Sequence, residues 1–181
     1  MARTATVSTF DIALNDMDRQ VYEQLAIKVA RHPSETEEYL WTRVLAYGLE
    51  YAEGIAFSKG GLSDPEEPAI AVRDLTGRIT SWIEVGAPDA ARLHKASKGN
   101  PRVALYTHKE PRLLLRNYEG ARIHKAESIE MRAVDRDLLA SLVPHLDKRV
   151  RCTLTVTEQQ LYVDVGGAVH EGTVERITVP S

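Results

Sequence analysis

A single glutamate stands near the end of an apolar segment, and two basic residues follow it on the next predicted helix. Glu84 belongs to the strand-like segment 79–86, and Arg92 and Lys95 come after the proline at position 88. Burying an unpaired carboxylate is costly, so Glu84 needs a partner, which would be a cation, a metal ion or water. With a metal ion, such a carboxylate serves phosphodiester chemistry. With Arg92 or Lys95 alone, it would form an ion pair at the strand end.

A second carboxylate is placed beside Glu84 by the predicted register of the hairpin 68–85. If its turn centres near Thr76, antiparallel pairing joins residues whose numbers sum to about 152, so Glu84 faces Pro68 and Glu67 lies one residue away. Asp74 would lie about 20 Å along the strand from that level, at ~3.3 Å per residue. The hairpin therefore predicts Glu67, and not Asp74, as the neighbour of Glu84.

Two clustered carboxylates and a nearby carbonyl, such as that of Val85, are the hard oxygen ligands that suit Mg²⁺. An ion held by Glu67 and Glu84 would lower the pKa of a bound water and clamp a phosphate oxygen. Arg92 and Lys95 are three residues apart and share a helix face, from which either would offset phosphate charge. No organic cofactor is expected.

The first predicted helix offers several acids for the same site. Ser34 and Glu37 have the spacing of a capping box, which explains Glu37 without a catalytic role. Glu35 lies in the first turn, where the helix dipole stabilises a carboxylate. Glu38 lies one turn from Ser34 and is the preferred catalytic acid, with Glu35 as the alternative. Arg31, just before the helix, is a candidate for binding phosphate at the helix N-terminus.

The elements that would position these residues follow from hydrophobic periodicity and from turn and cap residues. In chain order the sequence predicts a hairpin of strands 4–14 and 22–31, a helix from 34 to about 53, strands 55–58, 68–73 and 79–85, a helix from 88 to 99, strand 103–107, helix 110–117, strand 122–132, helix 135–146, hairpin 150–165 and strand 172–179. A helix is the competing prediction for residues 22–31, because Tyr22 to Ala30 also contain helix formers.

This order resembles the core of the PD-(D/E)xK nuclease superfamily. The resemblance implies a Glu on the first helix, an acid on the second core strand and a Glu-x-Lys on the third, which together bind metal and activate water. Here Gly86, two residues after Glu84, stands where that pattern has lysine. Some members draw the lysine from the following helix, which makes Lys95 its replacement.

More specifically, the chain looks like the YaeQ family of bacterial proteins, whose activity is unsettled and which is loosely linked to transcription elongation. The resemblance rests on Ala30-Arg31-His32-Pro33-Ser34-Glu35-Thr36, Glu67-Pro68, Trp82-Ile83-Glu84-Val85-Gly86, Pro88-Asp89 and Lys95-Ala96. It implies an α/β fold of the restriction-endonuclease-like type, a mixed sheet flanked by helices. N- and C-terminal antiparallel β-hairpins would be added to this single domain of residues 1–181.

Composition bounds the functions that remain. The net charge is −3, yet residues 92–125 hold nine basic and two acidic side chains, which indicates either one basic face for nucleic acid or a solvated face of local ion pairs. Cys152 is the only cysteine, no apolar run reaches the ~20 residues of a membrane span, and the N-terminus lacks a signal-peptide core. These features favour a cytoplasmic location.

Two hypotheses follow. The first is a Mg²⁺-dependent phosphodiesterase or nuclease in which Glu67 and Glu84 hold the metal, Glu38 assists and Lys95 stabilises transition-state charge. The second is a non-catalytic module of the same fold that binds a nucleic acid or a protein partner, with a role related to transcription. In that case Glu84 and Lys95 would form a structural ion pair.

Overall fold

The computed structural model describes residues 6–59 and 64–181, which fall into two compact units. The first unit holds the described residues up to Leu49 together with Val134–Val174. The second holds those from Glu50 to Ala133 together with Glu175–Ser181. The single domain predicted from the sequence stays a prediction.

The described residues form ten strands and four α-helices, with two short 3-10 helices at Ala126–Ser128 and Val143–His145. In chain order the elements are β1 (Thr6–Asp16), β2 (Val21–Arg31), α1 (Glu37–Leu49), β3 (Ile55–Phe57), β4 (Ile70–Arg73), β5 (Ile79–Val85), α2 (Ala90–Gly99), β6 (Val103–Thr107), α3 (Pro111–Tyr118), β7 (Glu130–Val134), α4 (Arg136–Leu142), β8 (Arg149–Thr157), β9 (Gln160–Val165) and β10 (Ala168–Thr178). The chain is therefore a mixed α/β protein, as predicted.

The first unit is a mixed sheet with α1 and α4. Its strands lie in the order β2-β1-β8-β9-β10; β1 and β8 run parallel, and the other neighbours run antiparallel. Buried residues alternate with partly buried or exposed ones along β1 and β8, as expected for strands with one face in a core. Phe10 of β1 packs edge to face on Trp41 of α1, with ring centroids 5.3 Å apart. The predicted hairpins at 4–31 and 150–165 are confirmed over their described residues.

Helix α1 begins later than the capping-box prediction placed it. The Thr36 hydroxyl accepts from the Tyr39 N–H at 3.1 Å, whereas the Ser34 hydroxyl lies 2.6 Å from Nδ1 of His32. Glu35 is buried and accepts from Arg43 at 2.8 Å, which holds the preceding turn against the helix. The predicted Ser34–Glu37 capping box is therefore wrong, because the residues between Pro33 and Thr36 close a separate turn.

The second unit has its strands in the order β7-β6-β5-β4-β3. β3, β4 and β5 form antiparallel pairs, and β5, β6 and β7 run parallel. Helices α2 and α3 contribute Leu93, Ala96, Leu114 and Tyr118 to a core cluster that also contains Trp82 and Leu105. The boundaries predicted for β5 and β6 are confirmed, since both are apolar runs between clear turn or cap residues.

The predicted register of the β4–β5 hairpin is correct to within one residue. Ile70 pairs with Ile83 and Val72 with Ser81, so the paired numbers sum to 153. The turn forms around Asp74, whose carboxylate accepts from the Thr76 N–H at 2.9 Å and the Arg78 N–H at 3.1 Å. The strand β4 starts at Ile70 rather than Pro68, consistent with the missing N–H of proline.

The strand predicted at 122–132 is largely wrong, since β7 starts only at Glu130. Lys125 has a left-handed backbone (φ 46°), which a strand does not allow. The Ser97 hydroxyl donates to the His124 carbonyl at 2.6 Å, and the His124 N–H donates to Nδ1 of His94 at 3.1 Å. These two bonds from α2 hold the segment against that helix and away from a sheet ladder.

Candidate functional site

Glu84 lies at the buried end of β5, where its carboxylate is held by two donors. The side chain of Trp82, two residues earlier on the same face of the strand, donates its indole N–H to Glu84 Oε1 at 2.6 Å. Arg92 donates Nε–H to the same oxygen at 2.8 Å. Only 4% of Glu84 is exposed. We call Trp82, Glu84 and Arg92 the Glu84 clamp.

Arg92 connects three segments of the second unit. It lies in the first turn of α2, whose N-cap Asp89 accepts its backbone N–H at 2.8 Å. Its guanidinium also donates to the carbonyls of Asp64 at 2.9 Å and Glu67 at 2.7 Å, and it lies 5.8 Å from the centre of the Trp82 ring. Its five donors therefore join β5 to α2 and to the segment 64–67.

Burial controls the charge of Glu84. Removal from water raises the pKa of this carboxyl above its ordinary value, and the repulsion of Asp89 adds to the effect. Arg92 and the Trp82 indole lower the pKa, but they do not cancel the effect of burial. Tyr118, whose hydroxyl donates to the Pro88 carbonyl at 2.7 Å, also has a raised pKa, because of its burial and then of the charges of Glu84 and Asp89.

The other predicted site residues of this unit have separate partners. The Glu67 carboxylate accepts from the Ser58 hydroxyl at 2.7 Å. Lys95 lies on the exposed side of α2 and pairs with Glu66 at 2.6 Å. The expected ion pair of Lys95 with Glu84 is therefore wrong, and the alternative with Arg92 is confirmed. Arg92 joins Glu67 to Glu84, because it donates to the Glu67 carbonyl and to the Glu84 carboxylate.

The backbone at Gly86 disfavours a lysine at this position. Its backbone has φ 105°, a conformation that glycine adopts readily and a lysine would adopt only with strain. Its N–H donates to the Tyr106 carbonyl at 2.8 Å, which continues the β5–β6 pairing past Val85. The chain therefore turns at the position where the nuclease pattern has its lysine.

The predicted residues of the first unit lie around the start of α1. Arg31 Nη1 is 3.4 Å from Glu37 Oε1. Glu38 is half-buried in the first turn of the helix, and its carbonyl accepts from the Thr42 hydroxyl at 2.7 Å. Glu35, the alternative acid, is committed to Arg43. Catalytic and substrate-binding roles for Glu38 and Arg31 stay predictions.

A second buried carboxylate, which the sequence did not single out, lies in the same unit as Glu84. Glu50 follows α1 and accepts from both terminal nitrogens of Arg102, at 2.7 and 3.1 Å, and from the Tyr106 hydroxyl at 2.6 Å. Arg102 Nε donates to Glu130, which lies at the start of β7. We call Glu50, Arg102, Tyr106 and Glu130 the Glu50 cluster.

The pKa of Glu50 is shifted in the direction opposite to that of Glu84. Burial raises it, but the bonds and charge of Arg102, the Tyr106 hydroxyl and the charge of Arg132 together outweigh burial and leave it below its ordinary value. Burial and the Glu50 charge raise the pKa of Tyr106 well above normal. Both groups therefore keep their neutral-pH forms, which is typical of a structural cluster.

The described residues do not offer the donor set that Mg²⁺ needs. The guanidinium of Arg92 lies against Glu84 where a cation would bind, and Glu67 is turned to Ser58. Among residues 6–59 and 64–181, no three His, Cys, Asp or Glu side chains form a group suited to a metal ion. The arrangement therefore does not fit the metal that the nuclease resemblance implies.

The exposed positive charge lies elsewhere in the second unit. Of the nine basic residues between 92 and 125, Arg92, Lys95 and Arg102 form ion pairs. The other six are exposed and form no ion pair within the described part of the chain; they are Lys98, Lys109, Arg112, Arg116, Arg122 and Lys125. We call these six side chains the exposed cations.

Five of the exposed cations lie on three neighbouring segments, and Lys109 lies in the loop just before α3. Helices α2 and α3 pack on one core cluster through Leu93 and Leu114. The segment 122–125 is bonded to α2 through Ser97 and His94. Consequently α2, α3 and this segment form one layer of the unit, and their outward side chains are predominantly basic.

The fold is that of a mixed α/β protein with internally paired buried charges, and comparison with known proteins gives its family. The chain matches the YaeQ protein family over residues 1–174. It belongs to the YaeQ family.

Relatives and solved structures agree with this assignment. The chain is 39% identical over 109 residues to the uncharacterized protein YaeQ of Escherichia coli K12, a match that spans 60% of this chain and 59% of that protein. The crystal structure of the YaeQ protein from Pseudomonas syringae is similar with a TM-score of 0.89, at 35% identity over 96% of each chain. That of the YaeQ protein from Xanthomonas axonopodis pv. citri has a TM-score of 0.87, at 26% identity over 98% of this chain and 100% of the other.

Proposed function

We propose that this protein is a non-catalytic module that binds single-stranded or duplex nucleic acid through its exposed cations. The observation that carries the proposal is the division of charge in the second unit. The buried carboxylates are committed to arginines, whereas six exposed cations have no ionic partner among the described residues. A cluster of exposed, unpaired cations is the feature that phosphate backbones bind, by releasing their counterions.

The net charge of −3 favours binding at local clusters of basic side chains over coating of the whole surface. An acidic chain repels a polyanion except where basic side chains cluster, so the rest of the surface disfavours nonspecific coating. Arg and Lys contacts to phosphates position a protein but carry no sequence information. The proposed interaction is therefore salt-dependent and of low sequence specificity.

The superfamily placement and the location are parts of the same proposal. The chain order α1, β3, β4, β5, α2, β6, with antiparallel pairs before α2 and a parallel pair after it, supports a PD-(D/E)xK-like, restriction-endonuclease-like core. The only cysteine is buried, and burial raises the pKa of its thiol to about 11. This is consistent with the proposed cytoplasmic location. Within the described residues no helix is long and apolar enough to cross a membrane.

Mg²⁺-dependent cleavage by Glu67 and Glu84 is the competing proposal. What favours it is that Arg92 brings the Glu67 backbone and the Glu84 carboxylate to one point. For a metal ion to bind there, Arg92 would have to leave Glu84, and the Glu67 side chain would have to leave Ser58. Lys95, which pairs with Glu66, would have to change its partner too.

The binding proposal is tested by fluorescence anisotropy of labelled single-stranded and duplex oligonucleotides at several salt concentrations. We expect wild-type affinity to fall steeply with salt. The variant K98Q/R116Q/K125Q should bind more weakly, and the slope of log K against log salt should decrease by about 2 for a single strand.

A matched variant controls for the change of net charge. The substitutions K28Q/R149Q/R151Q remove three exposed cations from strands of the first unit and should leave the salt slope unchanged. Equal losses in the two triple variants would contradict a localised face. Absence of salt-dependent binding to either oligonucleotide would contradict the proposal as a whole.

A further inference from the structure

Two histidines of the first unit meet nitrogen to nitrogen. His145 ends the 3-10 helix that follows α4, and His170 lies near the start of β10. Their Nε2 atoms are 3.0 Å apart. The ring centroids are 4.8 Å apart and the ring planes make an angle of 62°. If the two rings pointed straight at each other along the line that joins the Nε2 atoms, their centroids would be farther apart than this. The rings are therefore inclined to the line between the nitrogens, as they must be for both lone pairs to point at a shared third atom.

The backbone around this pair brings the two rings together. His170 pairs with Val163 in the β9–β10 ladder. Gly172 is two residues further along β10 and therefore lies on the same face of the sheet as His170. A Cβ at Gly172 would lie 2.7 Å from Cβ of Leu138 and 2.9 Å from Cβ of Asp135, so only glycine lets β10 approach α4 this closely. The helix that ends in His145 continues directly from α4. The close approach at Gly172 therefore places His170 beside His145.

We propose that His145 and His170 form a two-histidine binding site for a divalent transition-metal ion, with water at the remaining coordination positions. In the absence of metal, a nitrogen–nitrogen distance of 3.0 Å requires one proton between the rings. On binding, the ion takes the place of that proton, which moves through solvent to Nδ1 of the same ring, so both imidazoles stay neutral and each Nε2 supplies its lone pair. Both side chains are half-buried, so water reaches the ion.

The distance between the two nitrogens fits two neighbouring ligands of one metal ion. With metal–nitrogen bonds of about 2.0–2.1 Å, two nitrogens 3.0 Å apart subtend roughly 95° at the ion. That angle matches neighbouring positions of square-planar or tetragonal Cu²⁺ or Ni²⁺, whereas tetrahedral Zn²⁺ would need a separation of about 3.3 Å. Cu²⁺ also has the highest intrinsic affinity for imidazole in the first-row series. We therefore expect Cu²⁺ to bind more tightly than either Ni²⁺ or Zn²⁺.

Calorimetric titration of the full chain with Cu²⁺, in a buffer that binds copper weakly, tests the site. H145A and H170A should each weaken binding at least about tenfold, since each removes one of two protein ligands. H32A is the matched control, because His32 is an exposed histidine of the same unit that bonds to Ser34. It should bind Cu²⁺ like the wild type.

Pulsed electron paramagnetic resonance supplies a readout that a purely structural role would not change. The wild-type copper complex should show two coupled imidazoles, and each single variant should show fewer. If a variant with alanine does not fold, H145N and H170N retain polar side chains of similar size and replace it. Equal Cu²⁺ affinity in wild type and both site variants, or a wild-type spectrum without two imidazoles, would overturn the proposal.

Discussion

The Glu84 clamp and the Glu50 cluster are two answers to the same problem of burying a carboxylate. Each lies in the second unit and each uses an arginine, yet the pKa of Glu84 is raised and that of Glu50 is lowered. Glu84 receives both of its bonds on one oxygen, from an indole and from Nε of Arg92. Glu50 receives bonds on both oxygens, from a forked guanidinium and a phenol.

The difference shows that the presence of an arginine does not by itself decide the direction in which the pKa of a buried carboxylate shifts. The number and placement of the hydrogen-bond donors decide it. A bidentate guanidinium and a hydroxyl replace most of the hydration that Glu50 loses. Arg92 instead divides its donors between Glu84 and two backbone carbonyls. Glu84 therefore serves to orient Arg92, and Glu50 serves as the charged centre of its cluster.

Removing Glu50 should cost the protein more stability than any other change considered for these two regions. In E50A, Arg102 loses its bidentate partner and the buried Tyr106 hydroxyl loses its acceptor, so the free energy of unfolding should fall by about 3–5 kcal/mol. Urea denaturation followed by circular dichroism measures it. E50Q, which keeps an acceptor oxygen, should lose less. A loss in E50A no larger than that of an exposed ion pair would show that the cluster does not stabilise the fold.

A smaller loss is expected when Arg92 is removed from the Glu84 clamp. R92A should lower the free energy of unfolding by about 2–3 kcal/mol, since two carbonyls and a carboxylate lose a charged donor. The double variant R92A/E84Q should lose less free energy of unfolding than the sum of the losses in R92A and E84Q. Removing Arg92 leaves a buried charge without its partner in R92A, whereas the amide at position 84 of the double variant has no charge. Strict additivity in this cycle would mean that Arg92 and Glu84 do not interact.

The pH dependence of stability should distinguish the two carboxylates by sign. The folded-state pKa of Glu50 is lowered, so its contribution is complete above its ordinary pKa of 4.5 and is lost as the pH falls through the folded-state pKa. That of Glu84 is raised, so its contribution is complete below 4.5 and is lost as the pH rises through the folded-state pKa.

Denaturation of wild type, E50Q and E84Q between neutral and acidic pH measures this contrast. On acidification the stability advantage of wild type over E50Q should shrink, whereas its advantage over E84Q should grow. Parallel changes in the two comparisons would contradict the opposite shifts of the two carboxylates.

Lys95, outside both regions, should matter least for stability. Its ammonium and the Glu66 carboxylate are mostly exposed, so K95A should change the free energy of unfolding by less than about 1 kcal/mol. The same variant tests the predicted catalytic role, because a lysine that stabilised transition-state charge would abolish any cleavage activity when removed. A large loss of stability in K95A would mean that the pair is more than a surface contact.

The sequence predicted much of the fold because its strong signals are local. The boundaries of β5 and β6 follow from uninterrupted apolar runs, and the register around Thr76 follows from the turn residues. Where a local signal competed with tertiary contacts, prediction failed. Ser34 has the pattern of a helix cap but bonds to His32, and the segment 122–129 has strand-like residues but is held by α2.

The site was predictable only in part. Glu84 was found because a buried charge in an apolar strand needs a partner. Which of Arg92 and Lys95 is that partner depends on the orientation of α2, and Asp89 sets this orientation as the N-cap. Glu50 was missed because it falls inside the predicted span of the first helix. Its partner Arg102 is 52 residues away in the sequence. The local signal for this ion pair was the position of Arg102, which stands directly before the buried strand β6.

The proposed function gives the exposed cations the role of binding nucleic acid and the Glu84 carboxylate a role in structure alone. One experiment tests both roles. Wild type and E84Q are each mixed with a labelled oligonucleotide, first with EDTA and then with Mg²⁺. Binding of the oligonucleotide and its integrity are measured on the same samples. We expect equal affinity for both proteins and an intact oligonucleotide in every sample. Mg²⁺-dependent cleavage by wild type that is absent in E84Q would contradict this division of roles.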